Sequence, residues 1–248
     1  MDQLTFWFLG FLAAFCVGLG KGGVPVITAL GVPVMSLVMS PILAAGLLLP
    51  VFIAADMLGL YAYRRTYNAR VLKIMFFALP IGVFIGWFTS ASVPETAVTI
   101  LIGLIGVAFA LTMILSKPVE GPAITARIAP GLFWGAVSGF TSFVSHSGST
   151  PFQVFALPLR MDKLTFVGTV TIAFAYINLV KLIPYYALGQ LGADNIRAAV
   201  VLLIPAVVGV IVGVRLIRVI PEKLFFRVII WALLLLSMKL IWDGTLQF

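Results

Sequence analysis

Acidic residues, cysteine and histidine are nearly missing from this 248-residue chain, which has eight Asp and Glu, one cysteine (Cys16) and one histidine (His146). A lone cysteine excludes an intrachain disulfide, and inside an apolar stretch Cys16 reads as a small packing residue. One histidine, one cysteine and no H-E-x-x-H pattern remove the usual ligands of a catalytic metal and the usual Cys-His nucleophile pair. No enzyme, metal site or cofactor is therefore expected. Charge is scarce altogether: charged residues make up 10% of the chain against 62% hydrophobic, and the mean hydropathy is +1.19. That is too little polar surface to cover a soluble domain. Met1-Asp2-Gln3 carries no basic stretch before the first apolar run, which argues against a cleaved secretory signal.

What is present is hydrocarbon. Apolar runs cover roughly 4–20, 24–39, 42–63, 72–91, 96–115, 128–145, 151–159, 164–188, 197–217 and 224–242. A helix needs about 20 residues to cross a bilayer core, so most of these can span, while 151–159 is too short. The expected fold is an all-α polytopic membrane protein with the lipid bilayer as solvent. No nucleic-acid partner is expected.

The two halves match at offsets of 122 to 127 residues. Pro25 pairs with Pro151, Pro33 with Pro158, Gly46 with Gly168, Asp56 with Asn178, Pro80 with Pro205, Gly86 with Gly213, and Pro94-Glu95 with Pro221-Glu222. Each match alone is weak, but their common order indicates duplication. The divider is the polar stretch 116–127, rich in helix breakers, so residues 1–115 form a first membrane repeat and 128–248 a second.

Basic residues orient these repeats. Arg64 to Lys73 holds four, the divider holds Lys117 and Arg127, and Arg215 to Arg227 holds four more, which places all three in the cytoplasm. The connections at 89–95 and before Arg197 carry little positive charge and face out. An odd net number of crossings then separates the divider from the 189–196 loop, so 128–145 and 151–159 form a re-entrant hairpin that returns at Arg160 and Lys163. The first half has the same plan from the opposite side. Two inverted-topology repeats follow, each a broken or re-entrant helix hairpin followed by about three transmembrane helices.

The hairpin tips carry the rarest chemistry: Gly18-Leu-Gly-Lys-Gly-Gly-Val-Pro25 in one half and Ser145-His-Ser-Gly-Ser-Thr-Pro151 in the other. Helices broken at corresponding places in two halves point to a transport site, because irregular backbone at membrane depth survives only where protein or water satisfies it. Gly20, Gly22, Gly23 and Gly148 permit close backbone approach, and helices restarting after Pro25 and Pro151 offer N–H groups and positive dipole ends to an anion. The G-x-G-x-x-G spacing of Gly18, Gly20 and Gly23 lacks a strand–helix unit and reads as accidental. Lys21 either binds an anionic substrate or snorkels to the interface. His146 is a candidate proton carrier or a hydrogen-bonded structural residue. Ser145, Ser147, Ser149, Thr150 and Gln153 can donate to oxyanions or repair broken helix backbone. Asp56 either carries the coupling proton or neutralises Lys21 or Lys181. Asn178 and Lys181 are three residues apart and share a helix face. Gly103 and Gly106 can pack within the molecule or between copies, leaving a homodimer open.

Four segments together resemble the TauE/SafE sulfite-exporter family over nearly the whole chain. They are the Lys21 and His146 segments above, Asp56-Met-Leu-Gly59 with Tyr63-Arg-Arg65, and Asn178-x-x-Lys181-x-x-Pro184-Tyr185. The resemblance implies a bacterial inner-membrane carrier for sulfite, an organosulfonate such as sulfoacetate, or a related small anion, driven by protons. The second segment departs from the His-x-Gly-Gly-Pro-Pro form common in that family, with Ser147, Gly148, Ser149 and Thr150 between His146 and Pro151. The expected mechanism is alternating access, with the anion near the bilayer midplane between the hairpin tips. A passive anion channel, an intramembrane enzyme and a structural scaffold are the competing classes.

Overall fold

In lipid a chain satisfies its backbone polar groups by coiling, and the apolar runs do so. The computed structural model describes residues 3–89, 92, 94–115, 122–144, 147–188 and 193–246. Among them the regular elements are all helical. They are α1 (Gln3–Gly22), a 3-10 turn (Pro25–Leu30), α2 (Gly31–Met35), α3 (Pro41–Tyr63), α4 (Ala69–Thr89) and α5 (Glu95–Leu115). The second half contributes α6 (Ile128–Val144), α7 (Ser149–Ala156), a 3-10 turn (Leu157–Leu159), α8 (Lys163–Ala187), α9 (Ala193–Val219) and α10 (Glu222–Leu246). Seven of these, α1, α3, α4, α5, α8, α9 and α10, are long and apolar enough to cross a membrane. This is a multi-pass membrane protein. At 17 residues α6 rises about 26 Å, short of a full crossing, and eight-residue α7 is shorter still.

Two expectations need correction. The apolar run 24–39 is not one helical arm: it breaks into the 3-10 turn and five-residue α2, because Pro25 and Pro33 supply no backbone N–H to a longer ladder. The second short arm restarts at Ser149 and not after Pro151, which sits in the first turn of α7, where its missing N–H has no intrahelical partner to lose.

The chain folds into two compact units, each visited twice. The first holds Met1–Tyr67 and Val167–Ile220, the second Asn68–Phe166 and Pro221–Phe248. In the first, α1 packs along α9 and α3, and the arm after Gly23 folds back beside α1. A Cβ on Gly20 would strike Thr28, one on Gly31 would strike Val17, and one on Gly10 would reach Met35. In the second, α4 packs along α6 and α5 along α10, and α7 folds back beside α6, with Gly148 against Ser138 and Ser142, and Gly131 against Phe155. The Ile124 N–H donates to the Leu159 carbonyl at 2.9 Å, so the start of α6 and the end of the returning arm lie together. Arg70 Nε donates to the Ala126 carbonyl at 2.7 Å, which places the start of α4 at that same end.

Small residues set how closely the helices approach. Gly18 and Gly22 form a G-x-x-x-G stripe on α1 that meets the Ala206 and Val210 carbonyls of α9, while Gly209 and Gly213 of α9 meet the Phe15 and Leu19 carbonyls of α1. In the second unit Gly82 of α4 meets Ala136 and Phe140, and Gly139 of α6 meets Leu79 and Gly82. Gly82 and Gly86 are spaced in α4 as Gly209 and Gly213 are in α9. Gly103 and Gly106 of α5 pack within the molecule, against Ile241 and Ser237 of α10 and Thr150 of α7.

Helix starts outside the spans are capped. Asn68 Oδ1 accepts from the Arg70 and Val71 N–H groups at 3.1 Å, and Asp162 Oδ1 accepts from Leu164 at 3.1 Å and Thr165 at 3.0 Å. Arg160 turns the chain into α8 through a left-handed conformation at φ 53°.

Candidate functional site

In the first unit the break after Gly22 puts a lysine at the C-terminal end of α1, where the unpaired carbonyls favour a cation. Lys21 is buried, at 4% exposure, and its Nζ lies 2.6 Å from Oδ1 of Asp56 in the middle of α3. The contact is a buried ion pair. Asp56 is fully buried, and its Oδ2 accepts from Asn178 Nδ2 of α8 at 2.7 Å. Lys181, one turn further along α8, is buried too and lies within electrostatic range of both Lys21 and Asp56. The expected polar residues that fall in this unit, Lys21, Asp56, Asn178 and Lys181, thus meet in one cluster.

Aromatic rings wall it. Lys21 Nζ is 5.7 Å from the Phe52 ring centroid and 5.8 Å from that of Phe174, and Lys181 Nζ is 5.9 Å from that of Tyr185, all within cation–π range. The backbone at the break is also held. Tyr63 donates its hydroxyl to the Gly22 carbonyl, and Thr171 Oγ1 donates to the Lys21 carbonyl at 3.4 Å. The N–H groups of Gly23 and Val24 both donate to Leu19 and so already have partners within the break. Gly20, Gly22 and Gly23 face Thr28, Val210 and Gly213, so the work visible for them is close packing.

The second unit carries hydroxyls in place of charge. Ser138, Thr141, Ser142, Ser147, Thr150 and Gln153 are all buried. Ser138 Oγ donates to the Gly148 carbonyl at 2.6 Å, and the N–H of Ser147 donates to Thr141 at 3.2 Å, so the turn into α7 is tied to α6. Ser149 opens α7 half-buried, and Gly148 fits only because a Cβ there would meet Ser138 and Ser142. Gln153 Oε1 is buried with no hydrogen-bond partner among the described residues. Ser145 and His146 lie outside the described residues. Among the described residues no group of three His, Cys, Asp or Glu side chains is placed to hold a metal.

Sequence reading missed Phe52, Thr171 and Phe174, which carry no signal in an apolar run, because only packing aims them at Lys21. It also missed Ser138 and Ser142, whose four-residue spacing on α6 is a legible polar stripe facing the returning arm.

A family model described as Sulfite exporter TauE/SafE matches residues 6–240 of the 248-residue chain. No curated protein and no solved structure matches the chain significantly.

Proposed function

The chain belongs to the sulfite exporter TauE/SafE family, and we propose that it is a secondary transporter moving sulfite or an organosulfonate such as sulfoacetate across the bacterial inner membrane by proton-coupled alternating access. The observation that carries this reading is buried Lys21 paired with Asp56 among helices of membrane-spanning length. Ionisable groups at membrane depth are costly, and transport is a common reason for their presence. In this proposal the anion competes with Asp56 for Lys21, and Asp56 accepts a proton as it lets go. Lys181 and Asn178 then hold the carboxyl and anion together, and Phe52 and Phe174 keep bulk water out.

Within the second unit, Ser145, Ser147, Gly148, Ser149, Thr150 and Gln153 are proposed as hydrogen-bond donors for an oxyanion, with His146 as a second proton carrier. Inverted repeats are proposed as the moving parts. Support comes from the reciprocal pairing of α1 with α9 and of α6 with α4, through glycine stripes repeated in α4 and α9.

The test is uptake of labelled sulfite and sulfoacetate into proteoliposomes, with and without a pH gradient. Saturable flux, counterflow and acceleration by the gradient are expected. Flux without saturation or counterflow would indicate a channel, and no flux of any small anion overturns the proposal.

A further inference from the structure

Arginines gather at one end of the first unit. The Tyr63 hydroxyl reaches the Gly22 carbonyl, and Gly23 packs against Gly213 and Ile217, so α3 and α9 both end beside the break in α1. Arg64 and Arg65 follow α3, Arg215 and Arg218 lie in the last turns of α9, and all four are exposed. The carboxylates of the unit lie elsewhere. Among the described residues Asp56 is buried against Lys21, and Asp194 stands at the opposite end of α9, about 30 Å away along the helix. No carboxylate among the described residues pairs with Arg64 or Arg65.

A cytoplasmic face is expected to be basic, but that rule asks only for charge and says nothing of its setting. Here the setting is an apolar strip. Met57, Leu58 and Tyr61 are exposed on the face of α3 that leads to Arg64 and Arg65, at spacings of three, four and seven residues. Tyr61 is 71% exposed, and the Arg64 guanidinium lies over its ring, 4.2 Å from the centroid. Stacking occupies the flat face of a guanidinium and leaves its edge N–H groups for an acceptor, and phosphate is the acceptor whose spacing suits that edge.

We propose that this end of α3 binds an anionic phospholipid, with the acyl chain along Met57, Leu58 and Tyr61 and the headgroup phosphate held by Arg64 and Arg65. The strip decides the source of the phosphate, because a soluble phosphate ester meets the arginines alone whereas a lipid meets both parts. Arg215 and Arg218 add to the positive potential that draws an anionic headgroup to this end. The bound lipid braces the end of α3 at the point where Tyr63 holds the break in α1.

The test is a thermal melt of the purified full-length protein in neutral detergent, with dioleoylphosphatidylglycerol, dioleoylphosphatidylcholine or soluble glycerol 1-phosphate added. Phosphatidylglycerol should raise the melting temperature by roughly 2–4 °C more than phosphatidylcholine, and glycerol 1-phosphate should leave it unchanged. Arg64→Gln and Arg65→Gln should each remove about half of that increment or more. Tyr61→Leu keeps the charge, loses the stack and should reduce it. Lys223→Gln, which removes one exposed positive charge from the second unit, should leave it in place. Absence of the increment, its survival in both arginine variants, or its equal loss in Lys223→Gln overturns the inference, as does a full shift with glycerol 1-phosphate. If one arginine variant fails to fold, the other and Tyr61→Leu decide. Transport plays no part in this readout, so its failure leaves the transport reading standing.

Discussion

Asn178 donates through Nδ2 to Oδ2 of Asp56 at 2.7 Å, and 122 residues separate the two, an offset at which the halves of the chain match. Buried polar side chains that meet need complementary partners. Asp and Asn at one such pair make the contact a carboxylate–amide bond, where two carboxylates would repel. The exchanged variant Asp56→Asn/Asn178→Asp should therefore retain most of the melting temperature. Asp56→Ala leaves Lys21 buried without its counter-charge and should cost roughly 3–5 kcal/mol. Thermal melts of detergent-purified protein separate the two outcomes.

Tyr63 holds the carbonyl of Gly22 at the broken end of α1. Tyr63→Phe keeps the ring and removes the hydroxyl, leaving a buried carbonyl unsatisfied at a cost of about 1–3 kcal/mol. Because that carbonyl is next to Lys21, uptake should fall along with stability. An unchanged melt and unchanged uptake would show that the bond does neither.

The glycine stripes make a sharper demand. A side chain on Gly18 or Gly22 collides with backbone of α9, and one on Gly82 or Gly139 collides with the facing helix of the α4–α6 pair. Neither clash is relieved by turning a side chain. Gly22→Val and Gly139→Val should each lose at least about 1–3 kcal/mol and reduce folded yield, as read by gel filtration. Gly10→Ala, facing the methyl end of the Leu202 side chain at 3.1 Å, should be much milder.

Asp162 lies outside the spans and titrates where it can be followed. Burial acts to raise its carboxyl, but hydrogen bonds from the Thr165 side chain and from the Thr165 and Leu164 N–H groups outweigh it and hold the group below the usual aspartate range. A carboxyl lowered by folding stabilises the fold above its ordinary range and loses that contribution as pH falls through the lowered value. Asp162→Ala should cost roughly 1 kcal/mol at neutral pH. Asp162→Asn should keep most of the cap while flattening the acid limb of a stability–pH curve.

Spans and breaks were legible because both are local. An apolar run sets a helix, and Gly20 to Pro25 ends one. Lys21, Asp56, Asn178 and Lys181 were legible because charge and amide stand out against hydrocarbon. The division into units was not legible, since it depends on which glycine stripe of one half finds which helix of the other. Spacing shows that Gly18 and Gly22 share a face, but it does not identify α9 as the partner. The 24–39 run looked like a single arm because hydropathy averages over Pro25, Gly31 and Pro33, whereas backbone hydrogen bonding registers each of them.

The pairing of α1 with α9 also constrains biosynthesis. The first helix leaves the ribosome while the segment that covers its stripe is still unwritten, and the α4–α6 pair closes before α1 has its mate. A nascent chain released after α8 would expose Gly18 and Gly22 to lipid and present an unfinished groove to membrane proteases. The lysine cluster, by contrast, can assemble once α8 has been made, because Asn178 and Lys181 come from that helix.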